Sequence, residues 1–380
     1  MTTLANKQIL FLGTGEMGQP CLVELLKRTD VNPTDVTIIT GTSAGKDKAA
    51  VEARLEVAGI SPPYPNMTSR TEVKNHPPVE ADIVILAVKP NYAKEVLSQH
   101  KAAISDNTTL ISMAAGKMSS DYLTYVTTNP KVVRIMPHLP KAAYALYGTD
   151  EEAIQTTQMV CGGLGEGFRL EEEDVMHGYT GAAGSMPAFI ARFIDSFANK
   201  TAQKQASEQL RKLASNTPTK HEEGQGAIEG ITKRCTAFYK NGLKISQHYL
   251  DDKRGEKIFQ ATLAGTLDDL STGQFTPETY IEKVRSKKGT TNAGLLYMGS
   301  KPPQDPAWGT QEQLSAQNAM AIKYDAKLKP ENAITYAVIA AAERSAGAAQ
   351  DANDPLYGID DTTINALAED LVIKLPNHTP

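Results

Sequence analysis

Gln8-Ile9-Leu10-Phe11-Leu12-Gly13-Thr14-Gly15-Glu16-Met17-Gly18 sets how the N-terminal part of this chain must fold. Ile9 to Leu12 is a short unbroken apolar run, the pattern of a strand buried on both faces. Gly13, Gly15 and Gly18 come next, and Cys21, Leu22, Leu25 and Leu26 then recur at helical spacing. A pyrophosphate is bulky and negatively charged, so backbone that approaches it must lack side chains, and helix N–H groups must point at it. The turn Gly13-Thr14-Gly15-Glu16-Met17-Gly18 meets both needs and predicts a dinucleotide site. Without a ligand, the same glycines make a tight strand-to-helix turn in some other α/β protein.

Outward from that turn, runs rich in Val, Ile and Leu recur at Gln8–Leu12, Val36–Thr40, Asp82–Ala87, Thr109–Met113 and Val132–Met136, between helix-like segments. Strands alternating with helices predict a parallel sheet covered on both faces. Near residue 172 the pattern changes. Met186, Phe189, Ile190, Phe193, Ile194 and Phe197 form one apolar stripe at spacings of three and four, and the second half of the chain reads as all-helical. The fold class is therefore α/β: a Rossmann-type dinucleotide-binding domain over 1–172, then a helical domain over 173–380. A chain of 380 residues is long enough for two cores. Lys200–Gly226 reads as a helix with an exposed loop after it, Met298–Gly309 as a loop, and Leu375–Pro380 as a free tail.

Lys and Arg number 39 against 44 Asp and Glu, a net charge of -5, which is the wrong sign for a protein living on nucleic-acid phosphates. Small anions need only local positive charge and remain available as ligands. The longest apolar run, Ile83–Val88, is far shorter than the roughly 20 residues of a membrane helix. Cys21, Cys161 and Cys235 are odd in number and far apart in sequence, which excludes a disulfide framework and suits a reducing cytoplasm. The seven histidines lack ligand spacing, so no metal is expected. His100, His177, His221 and His248 read as surface residues, and Glu171-Glu172-Glu173-Asp174 as a solvated helix start.

NAD proteins place an acid at the end of the second strand to receive the ribose 2'-hydroxyl. Here Val36–Thr40 runs into Gly41-Thr42-Ser43-Ala44-Gly45-Lys46 without one. Thr42, Ser43 and Lys46 suit a 2'-phosphate, so NADPH is favoured over NADH. Otherwise Lys46 and Lys48 form an ordinary solvated helix start.

Three further segments end strands: Ala87-Val88-Lys89-Pro90, Ser112-Met113-Ala114-Ala115-Gly116, and Val132-Val133-Arg134-Ile135-Met136-Pro137. Such ends form the ligand edge of open α/β sheets. Together with the glycine-rich turn they resemble the pyrroline-5-carboxylate reductase family. Thr180-Gly181-Ala182-Ala183-Gly184-Ser185-Met186-Pro187-Ala188-Phe189 looks like that family's TGLSGSGPAY segment. Lys288-Gly289-Thr290-Thr291 looks like the end of its SPGGTT loop, and Ala341-Ala342-Glu343-Arg344-Ser345 resembles its closing helix. The resemblance runs from residue 8 to about 350 in patches, with apparent insertions near 200–240 and 298–330.

The resemblance implies a Rossmann domain and then a helical dimerisation domain that intertwines with a partner, with the site between the two and a homodimer or larger homo-oligomer. It also implies hydride transfer from NADPH or NADH to the ring C=N of Δ1-pyrroline-5-carboxylate, an anionic small-molecule imine, giving L-proline in proline biosynthesis. Carried onto this chain, Ser286, Gly289, Thr290 and Thr291 hold the carboxylate, and Thr291 hydrogen-bonds the ring nitrogen as the catalytic residue. The plain alternative is that Thr290 or Thr291 caps the helix through Leu295, worth ~1 kcal/mol. Lys89 and Pro90 border the nicotinamide ribose, Ala87 and Val88 line the trough, and Ala114, Ala115 and Gly116 leave room for the ring. These could equally be buried strands that end. Asn75 stands near the family's asparagine beside the adenine ribose.

Departures from the family concern the substrate. Met136-Pro137-His138 replaces Met-Pro-Asn, and Lys287-Lys288 replaces Pro-Gly beside the anion site. Gly41-Thr42-Ser43 replaces Asn-Arg-Ser, while Ala183 and Met186 replace a serine and a glycine. They leave open an NADP-dependent reductase of another cyclic imine or a keto acid, or a dinucleotide-binding sensor without turnover.

Overall fold

A computed structural model describes residues 3–15, 17–40, 44–69, 80–137, 143–215, 226–285, 290–300 and 311–347, with isolated positions near 364. The chain divides into two compact units, one holding the described residues through Pro137 with Ala143–Met176, the other those from His177 onward.

The first unit is built on eight strands: β1 (Ile9–Leu12), β2 (Val36–Thr40), β3 (Asn66–Ser69), β4 (Ile83–Leu86), β5 (Thr109–Ser112), β6 (Lys131–Pro137), β7 (Ala143–Gly148) and β8 (Glu166–Arg169). They form one sheet in the order β3-β2-β1-β4-β5-β6-β7-β8. The strands anticipated from apolar runs are β1, β2, β4, β5 and β6. β3, with the polar sequence NMTS, and β8, which is half exposed, carry no such run.

Every neighbouring pair is parallel except β6 and β7. The five anticipated strands run parallel as expected, and the reversal comes with β7, which was not anticipated. The connection between β6 and β7 spans 138–142, whereas a parallel return needs roughly a dozen residues. Only an antiparallel turn fits that length.

Alternation along the strands divides the core. In β1, Ile9 and Phe11 join one cluster and Leu10 and Leu12 the other; in β4, Ile83 and Ile85 oppose Val84 and Leu86 in the same way. Helices α1 (Gly18–Leu26), α2 (Ala44–Val57) and α5 (Glu151–Cys161) cover the first face. Helices α3 (Ala93–Gln99) and α4 (Ser119–Leu123) cover the second. The face under α1 and α5 contains Cys21 and Cys161, both buried, and Cys235 of the second unit is buried too. The hydrogen bond to Cys21, with burial, holds the Cys161 thiol well above its usual range. Cys21 and Cys161, far apart in sequence, are neighbours in the fold.

Two polar assignments are corrected. His100 is only 4% exposed, its Nδ1 lying 2.8 Å from the Val96 carbonyl at the end of α3. Glu173 is not a solvated helix start: its Oε1 accepts from Arg134 Nη1 at 3.0 Å, from the Ser119 backbone N–H at 2.6 Å and from Ser119 Oγ at 2.8 Å. Arg134 lies within β6 and is 1% exposed, so Glu173 is what balances a charge sealed under α4.

The second unit is helical throughout its described residues: α6 (Val175–Tyr179), which begins in the first unit, a π-turn over Thr180–Gly184, α7 (Met186–Asp195), α8 (Lys200–Ala214), α9 (Gly226–Leu250), α10 (Asp252–Ser271), α11 (Pro277–Val284), α12 (Thr290–Tyr297), α13 (Gln311–Lys327) and α14 (Pro330–Gly347). The anticipated apolar stripe is buried on α7, with Phe193 stacked on Phe238 of α9 at 4.1 Å. Arg234 of α9 lies 4.1 Å from the Phe197 ring centroid, donates to Ser196 Oγ at 2.6 Å and pairs with Glu331 at 3.2 Å. His177 is also not simply a surface residue, since its Nδ1 lies 2.9 Å from Ser345 Oγ. The loops expected over 216–225 and 301–309, His221, and the tail lie outside the described residues.

Removal of one member of a buried ion pair strands the other charge, typically at several kcal/mol. Glu173→Ala is therefore expected to lower unfolding free energy by about 3 kcal/mol in urea titration. A change below about 0.5 kcal/mol, the level of an ordinary surface substitution, would contradict the role given to Arg134.

Candidate dinucleotide and substrate sites

The order in which strands join the sheet reverses between β1 and β4: β2 and β3 lie on one side, β4 and β5 on the other. A ligand crevice opens at such a point, outside the carboxyl ends of the strands. β1, β4 and β5 end in register at Leu12, Leu86 and Ser112. Gly13, Ala87 and Met113 come directly after, tied by Ala87 N to Leu12 O at 2.8 Å and Met113 N to Leu86 O at 3.0 Å.

The glycines divide the work at this edge. Gly13 has φ +96, and a Cβ there would lie 2.8 Å from Val88 Cγ1 and 2.9 Å from the Ala87 carbonyl oxygen. Gly18 lets α1 approach so closely that a Cβ would lie 2.6 Å from the Gly13 oxygen and 2.7 Å from Ala87 Cβ. Gly15 differs, since nothing lies within 4 Å of where its Cβ would be. Two glycines are thus required by packing, and the third faces open space. Among the described residues, no side chain caps α1 and no acid stands in its first turn. Open space over Gly15, at a helix start that no side chain caps, fits a dinucleotide pyrophosphate.

Around this turn, Ala87, Val88 and Pro90 are half-buried and Lys89 is exposed. Ala114 is 4% exposed with its N–H on Ser112 Oγ at 3.3 Å, Ala115 is half-buried, and Gly116 takes φ +69. These residues all lie on the carboxyl edge, while Thr14 and Met17 sit within the turn itself. Glu16, Thr42, Ser43, Asn75, the Lys46 side chain, His138, Ser286, Lys287, Lys288, Gly289 and the Thr290 side chain lie outside the described residues.

In the second unit, Thr291 stands in the first turn of α12 and is 5% exposed. Its Oγ1 donates to Ser185 Oγ at 3.1 Å, and Ser185 is wholly buried just beyond the π-turn. Close packing holds this corner: a Cβ on Gly181 would lie 2.5 Å from the Val338 oxygen of α14, and one on Gly294 of α12 would lie 2.5 Å from the Ala337 oxygen. The next residue, Asn292, bonds to Arg285 and to Gln317. Ser185 belongs to the segment singled out in the sequence, but a pairing across 106 residues leaves no local signal. Arg285, Asn292 and Gln317 belong to no motif at all.

Residues 8–116 match the family described as NADP oxidoreductase, coenzyme F420-dependent. The pyrroline-5-carboxylate reductase of Haemophilus influenzae is 28% identical over 259 residues, 66% of this chain and 87% of its own length. That of Methanosarcina acetivorans is 29% identical over 204 residues, 52% of this chain and 70% of its own. A crystal structure of Plasmodium falciparum pyrroline carboxylate reductase with NADP bound covers 90% of this chain and 97% of that one at 16% identity and a TM-score of 0.44, too loose a likeness to bear on the site. The chain is a dinucleotide-dependent oxidoreductase. Within that class, the proteins it is similar to over two thirds of its length are pyrroline-5-carboxylate reductases. Among the described residues no helix is long and apolar enough to cross a membrane.

Since a Cβ on Gly15 meets nothing in the protein, Gly15→Ala is expected to leave the melting temperature unchanged. The added methyl would occupy the pyrophosphate's approach and weaken dinucleotide binding by at least tenfold in calorimetry, about 1.4 kcal/mol. Wild-type affinity in the variant would place the cofactor elsewhere.

Proposed function

We propose that this chain uses NADPH to reduce the ring C=N of Δ1-pyrroline-5-carboxylate to L-proline. The observation that carries the reading is the buried hydroxyl pair of Thr291 and Ser185, 3.1 Å apart. Held against Ser185, the Thr291 Oγ1 keeps a lone pair for an incoming group. A protonated ring imine brings an N–H to be accepted.

Bound NADPH supplies the hydride. The chain's own residues bind and orient. Thr291 accepts the N–H of the iminium, so the positive charge stays adjacent to the carbon that gains the hydride, and the nitrogen keeps its proton when the C=N bond becomes single. Ser286, Gly289 and Thr290 take the ring carboxylate. Gly13, Gly15 and Gly18, with Thr14, Glu16 and Met17, cradle the pyrophosphate, and Ala114, Ala115 and Gly116 leave space for the nicotinamide. Thr42, Ser43 and Lys46 receive the 2'-phosphate, a preference supported by the missing acid after β2. Asn75 lies by the adenine ribose, and Ala87, Val88, Lys89 and Pro90 along the trough. The reading includes a homodimer or larger homo-oligomer in the cytoplasm, where the free thiols of Cys21, Cys161 and Cys235 would stay reduced.

Purified protein mixed with NADPH and the imine should consume NADPH and form proline. Thr291→Ala is expected to lower kcat/KM at least tenfold, the effect of losing one hydrogen bond of about 1.4 kcal/mol in the transition state, while Thr291→Ser retains most activity. Tight NADPH binding with no turnover would point to a sensor instead.

A further inference from the structure

We propose that Gln317, on α13, is a positioning residue that sets Thr291 for the substrate; the inference rests on the reductase reading. Successive residues on a helix point about 100° apart, so Thr291 and Asn292 leave α12 on different faces. Thr291 turns to Ser185. Asn292, wholly buried, is gripped from two other elements: its Oδ1 accepts from Arg285 Nε at 2.9 Å, and its Nδ2 donates to Gln317 Oε1 at 2.8 Å. Arg285, immediately after α11, is 7% exposed and is itself fixed by Glu282 at 3.1 Å and by the Ser300 carbonyl at 3.1 Å. The first turn of α12 is thereby pinned between the end of α11 and the middle of α13.

The state of Gln317 separates a brace from mere filling. The side chain is wholly buried, yet its Nε2 has no hydrogen-bond partner among the described residues. A buried donor without a partner is destabilising, and an unbranched apolar side chain of the same length would fill the space without that penalty. What the amide provides and methionine lacks is the acceptor for Asn292. α13 falls within 298–330, which reads as an insertion in the sequence. A helix of that stretch thus reaches the residue next to Thr291 through one amide.

The test is Gln317→Met beside Gln317→Glu, which keeps an acceptor for Asn292. Gln317→Met is expected to hold or raise the melting temperature while raising KM for Δ1-pyrroline-5-carboxylate about tenfold, the value of one lost hydrogen bond, with KM for NADPH unchanged. Gln317→Glu should restore the imine KM. The proposal is overturned if Gln317→Met fails to fold, if its imine KM stays at the wild-type value, if both KM values rise together, or if Gln317→Glu behaves like the methionine variant. Absence of turnover in the wild-type protein would sink the reductase reading alone. The brace is then read from amide exchange over Thr291–Ala293, faster in Gln317→Met if it exists and unchanged if it does not.

Discussion

The first unit depends on one close approach. α1 begins so near the end of β1 that no side chain fits between Gly18 and the Gly13 carbonyl, and Ala87 of the neighbouring strand end closes the third side. That contact fixes the angle at which the helix leaves the sheet, and the angle determines where its N-terminus points. The reversal in strand order between β1 and β4 opens the crevice, and the missing side chain of Gly15 leaves it accessible. Packing and binding therefore make different demands on glycines in the same turn.

The second unit solves its problem with polar groups sealed in a helical core. Thr291 and Asn292 are neighbours in sequence, yet one is oriented by α7's approach through Ser185 and the other by Arg285 and Gln317. Directional bonds of this kind are weak in net stability but strict in geometry.

The sequence was legible where periodicity is strong. Ile9–Leu12 and Ile83–Leu86 declare buried strands, and the stripe from Met186 to Phe197 declares α7. β3 was not legible because NMTS carries no apolar run, and the reversal at β7 came from a connection too short to cross over, a constraint of length rather than composition. Glu173 looked like one of several acids in a solvated cluster until Arg134, far away in sequence, supplied its reason for being there. In the same way the glycines of the first site announce themselves locally. The Ser185, Asn292 and Gln317 contacts exist only once the helices have packed.

β8 ends the sheet, and its outermost residues, Glu166 and Arg169, are charged and exposed, with Arg169 paired to Glu151 at 2.7 Å. A bare strand rim is a template onto which stray chains can add, and ionic groups along it make such recruitment unfavourable by forcing desolvation. The short half-exposed strand that carried no sequence signal thus presents a rim on which a further strand is disfavoured.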